Sequence, residues 1–356
     1  MDKNDIKIIK TTSPKQKPAV GAELGFGKLF TDHMFLMDYN DGWRDPRIVP
    51  YANLSLDPAS MVFHYGQAAF EGLKAYTDKS GGILLFRPMM NFSRLNNSNA
   101  RLCMPELDTN FALSALKELI KFERDWIPSE PGTSLYIRPF VMATDPYLGV
   151  RPSDTYLFII LLSPVGAYYP EGLAPVKISV ETEYVRAVRG GLGYTKAAAN
   201  YAASLKSQNI AKESGYTQVL WLDAIERKYI EEVGTMNIFF KINGKIVTPS
   251  LSGSVLPGVT RDSVIQLIKK SGYDVEERPL AISEVKEAYN GGKLEEAFGT
   301  GTAAVISPVG VLAIDNDIMH LSGGEIGPLS QKLYDTLTGI QYGEIEDAFN
   351  WVERVL

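Results

Sequence analysis

The chain has 356 residues, 45% hydrophobic and 22% charged, the profile of a globular protein with length enough for two cores and a cleft between them. A net charge of −6, with no basic run and no interleaving of aromatic and basic residues, excludes a nucleic-acid binder. The single cysteine, Cys103, leaves no internal disulfide and no thiolate metal cluster, and three scattered histidines (His33, His64 and His320) build no metal site.

From the N-terminus, residues 1–18 are lysine-rich and polar without an apolar stretch, so no signal peptide is expected. Residues 82–87 predict a strand. Residues 89–102 carry Phe92, Leu95 and Leu102 at roughly helical spacing, and residues 111–122 place Leu113, Leu116, Leu119 and Ile120 on one helical face. Residues 135–138 and 155–162 are extended again. The greasiest window, 156–165, is far too short to span a bilayer. The cytoplasm is the expected compartment.

Residues 164–172 break the pattern with prolines, glycines and paired tyrosines, so the expected division is an N-terminal domain over 1–165, a linker over 166–175 and a C-terminal domain over 176–356. Residues 176–180 alternate as a strand. Residues 238–247 form a hairpin about Asn243-Gly244, a pair that accepts positive φ at both central positions. Residues 263–270 put Val264, Leu267 and Ile268 on one helical face. Strands and helices alternate without regular βαβ spacing, which predicts α+β layers rather than a doubly wound parallel sheet.

Lys196 is the most informative residue. It stands just past the glycine-rich turn 190–193 and opens an alanine-rich helix, where the positive end of the helix dipole disfavours a solvating cation. An ordinary surface lysine is the competing reading. A Schiff-base lysine gains from that field and from partial burial, since both lower its pKa and free a nucleophilic amine. Further on, a carboxylate at Glu231 or Glu232 suits the nitrogen of a pyridine cofactor, which works as an electron sink when protonated. On a strand only one of these neighbours faces such a site, and the local pattern does not choose between them. Two turns follow. Gly258-Val259-Thr260 precedes a helix and offers free amides to a phosphate, against the plainer reading of a helix start after a Pro-Gly turn. Residues 299–304 match G-x-G-x-x-A only formally, because no βαβ unit surrounds them and Pro308 limits any helix; a hydroxyl-rich turn presenting Thr302 to an anion fits better. Arg94 is either a solvated helix residue or a fixed charge for the same phosphate. Amine, carboxylate and anion cradle are together what pyridoxal 5'-phosphate requires. No G-x-S-x-G elbow, Walker A loop or H-E-x-x-H occurs.

These segments resemble the fold-type IV pyridoxal-phosphate enzymes, and among them the branched-chain amino acid aminotransferases. The resemblance runs nearly end to end, from residues 25–34 to 340–343, through 64–75, 84–88, 134–139 and 232–237. It implies two α/β domains with the cofactor at their interface, a homodimer, and a reversible transfer of the amino group of leucine, isoleucine or valine to 2-oxoglutarate. It also implies roles for residues. Lys196 holds the cofactor and shuttles the proton, Glu232 faces the ring nitrogen, Tyr201 the ring hydroxyl, and Leu256 the ring itself. Arg94, Gly258, Val259, Thr260 and Thr302 bind phosphate. Thr235, Thr302 and Ala303 meet the substrate carboxylate. Phe26, Tyr65, Phe70, Tyr136 and Tyr168 wall the side-chain pocket, with Arg138 at its polar edge. Leu148 and Val150, with Tyr65, reach a neighbouring subunit's site. The Cys-x-x-Cys pair of some members is replaced by Ala304 and Ser307, which excludes a thiol switch there. The alternatives within the resemblance are a D-amino acid aminotransferase or an aminodeoxychorismate lyase, which share only the core motifs; a non-catalytic binding protein is the third.

Overall fold

A computed structural model describes residues 5–166, 173–314 and 317–356. In chain order the first half comprises β1 (Lys7–Ile8), β2 (His33–Asn40), β3 (Trp43–Pro50), α1 (Met61–Tyr65), β4 (Ala68–Phe70), β5 (Leu73–Thr77) and β6 (Ile83–Phe86). Helices α2 (Pro88–Arg101) and α3 (Thr109–Phe122) follow, then β7 (Ser134–Ala143) and β8 (Thr155–Val165). The second half begins with β9 (Val176–Glu181), α4 (Ala198–Glu213), β10 (Gln218–Leu222), β11 (Ile230–Val233), β12 (Asn237–Ile242) and β13 (Lys245–Thr248). It continues through α5 (Val259–Lys270), β14 (Val275–Glu277), α6 (Ile282–Asn290), β15 (Leu294–Gly301), β16 (Val305–Ile314), β17 (Asp317–His320), α7 (Pro328–Gln341) and β18 (Val352–Arg354).

The first unit is built on a sheet ordered β1-β3-β2-β8-β7-β5-β6-β18, with β4 on β7; only the short β1–β3 pair is parallel. Alternation along β7 divides the faces. Leu135, Ile137 and Val141 join Phe35, Phe158 and Ile160 in a core with Phe92, Leu95, Leu116, Leu119 and Ile120 of α2 and α3. Each fully buried leucine or isoleucine there contributes about 1.5–3 kcal/mol. Asp108 caps α3 by accepting the amides of Asn110 and Phe111, worth about 1 kcal/mol. Pro88 at the first position of α2 suits a helix start, its fixed φ being already helical.

The second unit's sheet runs β11-β10-β9-β16-β15-β12-β13-β14, with β17 on β16. Here β9 is parallel to both β10 and β16, and β14 to β13, while the remaining pairs are antiparallel. The expected Asn243-Gly244 hairpin joins β12 and β13, with both residues at positive φ. Phe239 and Phe298 stack across β12 and β15 with ring centroids 5.3 Å apart. These are the α+β layers that the sequence predicts.

The expected domain division needs a correction. Thr195–Ala198 and Gly339–Leu356 belong to the first unit, although they lie within the span 176–356 assigned to the second domain. The tail returns because β18 pairs antiparallel with β6, and Ala197 is held by a bridge to Ala69. Most of the expected linker, including Tyr168, lies outside the described residues. Among the described residues no helix is long and apolar enough to cross a membrane.

Candidate active site

In the first unit the site grows from one stripe of α2. Asn91, Arg94 and Ser98 fall at helical spacing on the same buried face. Asn91 Nδ2 and Arg94 both donate to Glu71, the arginine in a two-pronged contact of 2.7 Å from Nε and 2.9 Å from Nη2. Burial pushes the Glu71 carboxyl up, but the charge and hydrogen bonds of Arg94, with the Lys196 charge beyond it, outweigh that and hold it below its ordinary range. Ser98 Oγ accepts the backbone N–H of Lys196 at 2.9 Å, and the Lys196 carbonyl accepts from Phe70 N–H at 3.1 Å. Lys196 is therefore fixed by its backbone two residues ahead of α4. The expectation that it opens the helix itself gives way to an extended segment laid against β4, because α2 and β4 supply its hydrogen bonds.

The Lys196 side chain lies over the Phe70 ring, with Nζ 5.1 Å from the centroid. Arg138 occupies the same ring at 4.6 Å and donates from Nη2 to the Tyr136 hydroxyl at 2.9 Å. Phe26 packs on Tyr136 with centroids 4.9 Å apart. Five of the residues named from the sequence thus form one set: Lys196, Phe70, Arg138, Tyr136 and Phe26. The Tyr65 hydroxyl donates to the Leu148 carbonyl. Leu148 and Val150 are 64% and 86% exposed.

In the second unit β11 carries both acids into buried positions, and their surroundings separate them. Glu232, 3% exposed, accepts the Leu256 amide at 2.6 Å and lies 3.3 Å from Arg186 Nη2. Glu231 accepts from Ser254 Oγ, and burial pushes its carboxyl up despite that bond and the Arg186 charge. Of the two, only Glu232 has a backbone donor and a guanidinium on the same oxygen.

Asn237 Nδ2 donates to the Leu256 carbonyl at 2.9 Å, tying β12 to the turn before α5. That turn ends at Gly258, where a Cβ would stand 2.1 Å from Asn237 Oδ1 and would have to displace that side chain. No side chain caps α5, so the amides of Val259 and Thr260 project from a helix start able to receive an anion. Residues 299–301 lie in β15, and Thr302-Ala303-Ala304 is the tight turn into β16. This corrects nothing in the hydroxyl-rich reading of that segment and removes the dinucleotide one. Thr235 is exposed in the turn between β11 and β12, and Tyr201 is half-buried in the first turn of α4.

The residues present fit a group with a carbonyl, a basic ring nitrogen and a phosphate. The first unit, by itself, offers an amine backed by an aromatic face; the second, by itself, offers a buried carboxylate with two donors on one oxygen and an uncapped helix start that opens on a glycine. Two buried polar atoms, Arg186 Nε and Thr300 Oγ1, have no hydrogen-bond partner among the described residues. Glu71, Ser98, Arg186 and Asn237 escaped the sequence reading. Glu71 and Asn237 sat inside motifs already quoted, and Ser98 shares the α2 stripe with Arg94. Arg186 belongs to no motif, and only its flanks, Val185 and Ala187, hinted at burial.

Comparison with known proteins places these features. Residues 68–312 match the family model for amino-transferase class IV. The chain is 58% identical to branched-chain-amino-acid aminotransferase 2 of Bacillus subtilis, over 100% of this chain and 98% of that protein. Among solved structures, it is similar to the branched-chain amino acid aminotransferase of Escherichia coli, with a TM-score of 0.77 and 28% identity over 91% of this chain and 99% of that one. It is also similar to the Thermobaculum terrenum enzyme in its pyridoxal-phosphate form, at TM-score 0.76 and 25% identity over 92% and 100%.

Proposed function

The chain belongs to the class IV aminotransferase family, and from that premise we propose that it is a branched-chain amino acid transaminase. It moves the amino group of leucine, isoleucine or valine to 2-oxoglutarate and uses pyridoxal 5'-phosphate. When bound, the cofactor supplies an electrophilic carbonyl and an electron-withdrawing ring that acidifies the substrate's α-proton. The chain supplies the rest. Lys196 Nζ would be the amine that holds the cofactor and the base that moves the substrate's α-proton. Glu232 would hold a proton on the ring nitrogen, with Leu256 N–H and Arg186 set on its own carboxylate oxygen. Tyr201 would meet the ring hydroxyl and Leu256 would line the ring's place. The amides of Val259 and Thr260, the bare Gly258 and the Thr302 hydroxyl hold the phosphate. Arg94 adds its charge while Glu71 fixes the guanidinium plane.

On the substrate side, Thr235 and the Thr302-Ala303 backbone receive the α-carboxylate. Phe26, Phe70, Tyr136, Tyr65 and Tyr168 enclose the side chain. Arg138 answers the distal carboxylate of glutamate and stays paired to Tyr136 when an apolar chain is present. The exposure of Leu148 and Val150 supports giving them to a partner chain's site in a homodimer, which sedimentation would check. A cytoplasmic location goes with this reading and is checked by cell fractionation.

The observation that carries the reading is the Phe70 ring, which bears the Lys196 amine on one approach and Arg138 on another. Nucleophile and recognition residues are thereby assembled on a single aromatic. The expected result with leucine and 2-oxoglutarate is stoichiometric glutamate and 4-methyl-2-oxopentanoate. Borohydride reduction followed by mass spectrometry should find the cofactor on the Lys196 peptide. Label on another lysine overturns the site, and pyruvate release without an acceptor, or preference for D-amino acids, overturns the activity.

A further inference from the structure

Within the second unit, Thr235 stands out by its surroundings. It is exposed, whereas Glu231, Glu232, Val233 and Gly234 before it and Met236 and Asn237 after it are buried. The turn that carries it is held by its backbone. Val233 and Met236 exchange N–H to carbonyl bonds of 2.9 Å, and Gly234, at φ 56°, donates its N–H to the Val219 carbonyl at 2.7 Å. The Gly234 carbonyl in turn accepts from Trp221 Nε1 at 2.9 Å. Strand β10 therefore grips both polar groups of one glycine, immediately before the threonine.

The Trp221 ring cannot swing away from that carbonyl. It is fully buried in a cluster with Ala211 of α4 and Val219, against which Tyr184 and Tyr216 pack, and this fixes the direction of the indole N–H. Trp221 is paired with Glu232 across β10 and β11, so it shares that residue's face and reaches Gly234 along the diagonal. On its other side the turn meets β15 through Met236. A Cβ at Gly299 would stand 2.9 Å from Met236 Cε, and one at Gly301 would stand 3.1 Å from its Cγ, so two residues without side chains make room for Met236. Asn237 of β12 pairs with Thr300 of β15, which brings the Thr235 turn and the Thr302-Ala303 turn to the same end of this ladder.

We infer that Trp221 is a positioning residue for the α-carboxylate receiver. Its N–H holds the Gly234 carbonyl and so sets where Thr235 is presented relative to Thr302 and Ala303. Receiving groups work only when held within about 0.5 Å of the productive geometry, and a buried ring locked by its neighbours supplies that precision. The inference rests on the transaminase reading above and adds to it a residue that acts through the turn rather than on the substrate. The α-carboxylate is common to leucine and glutamate, so Trp221 affects both equally, unlike a residue of the side-chain pocket.

The test uses the cofactor-loaded enzyme and follows each half-reaction by stopped flow, with leucine and with glutamate. Trp221→Phe keeps an aromatic ring but has no N–H. It should weaken the apparent binding of both amino acids by the same factor, about five- to tenfold, the size of one displaced hydrogen bond, with limiting rates within about threefold. Cofactor retention on dialysis should be unchanged. A binding readout without turnover accompanies it: 4-methylpentanoate, titrated by absorbance, should bind more weakly by the same factor. The decisive comparison is with Thr235→Val. In the double variant the Trp221→Phe change should add less than about twofold, because the residue it acts through is already gone. If Trp221→Phe does not fold, the same readings are taken with 3-benzothienylalanine at position 221, which keeps the bicyclic shape and puts sulfur in place of the N–H. No loss of binding, losses that multiply in the double variant, unequal losses for leucine and glutamate, or a loss confined to limiting rate or cofactor retention overturn the inference and leave Trp221 a core residue. A wild type that transaminates neither amino acid overturns the functional reading instead.

Discussion

On the reading proposed above, the two units would contribute to the chemistry in different ways. The first offers side chains held by other side chains: Arg94 locked on Glu71, Arg138 on Tyr136, and Lys196 over Phe70. The second offers mostly backbone, namely the Leu256 amide, the uncapped start of α5 and the turn after β15, with Glu232 as its principal charge. Side chains joined through buried ion pairs are costly to break one at a time, since the abandoned partner keeps its charge without its counterion. Backbone donors survive most substitutions and fail only where a Cβ intrudes. Breaking such a pair should therefore register in stability as well as in rate, and changes to the second unit's backbone donors mainly in rate and cofactor affinity.

The sharpest contrast is between Lys196→Ala and Arg94→Met. The first should abolish turnover while the chain still folds, because it removes the amine and leaves the backbone bonds to Ser98 and Phe70 intact. The second leaves Glu71 as an uncompensated buried charge and should destabilise the first unit by about 3–5 kcal/mol, read from urea unfolding. Retention of wild-type stability in Arg94→Met would break the comparison.

Glu232→Gln comes next. A neutral amide cannot keep the ring nitrogen protonated, so turnover should fall at least a hundredfold, about 3 kcal/mol, and the melting temperature should drop as well, because Arg186 loses its buried counterion. Glu231→Gln is the control; a larger loss there would exchange the roles of the two acids. Gly258→Ala sharpens the backbone half. Its methyl group meets Asn237 Oδ1 and must displace it, costing about 1–3 kcal/mol, seen as weaker cofactor retention on dialysis.

The mildest effect at neutral pH is the acid limb. The folded-state pKa of Glu71 lies below its ordinary 4.5, so its ion pair stabilises the first unit fully above that value. That contribution fades as pH falls through 4.5 towards the depressed folded value. Arg94→Met should lose this limb of the stability profile, whereas Glu232→Gln in the second unit should keep it.

What the sequence determined by itself was local. Glycine and alanine around Lys196, the Pro-Gly turn before α5, the Asn243-Gly244 hairpin and the apolar faces of α2 and α3 all act within a few residues, where turn chemistry and periodicity are decisive. The resemblance then chose Glu232 over Glu231, a choice that alternation along one strand leaves open. Tertiary structure decided the partners. Glu71 meets Arg94, Arg186 meets Glu232, and Trp221 meets Gly234 only through strand register and helix packing. It also decided that Lys196 and the C-terminal tail belong to the first unit. The physical reason is that a strand's pattern fixes which face is buried, whereas its neighbour and offset depend on the whole sheet closing its hydrogen bonds and its core together.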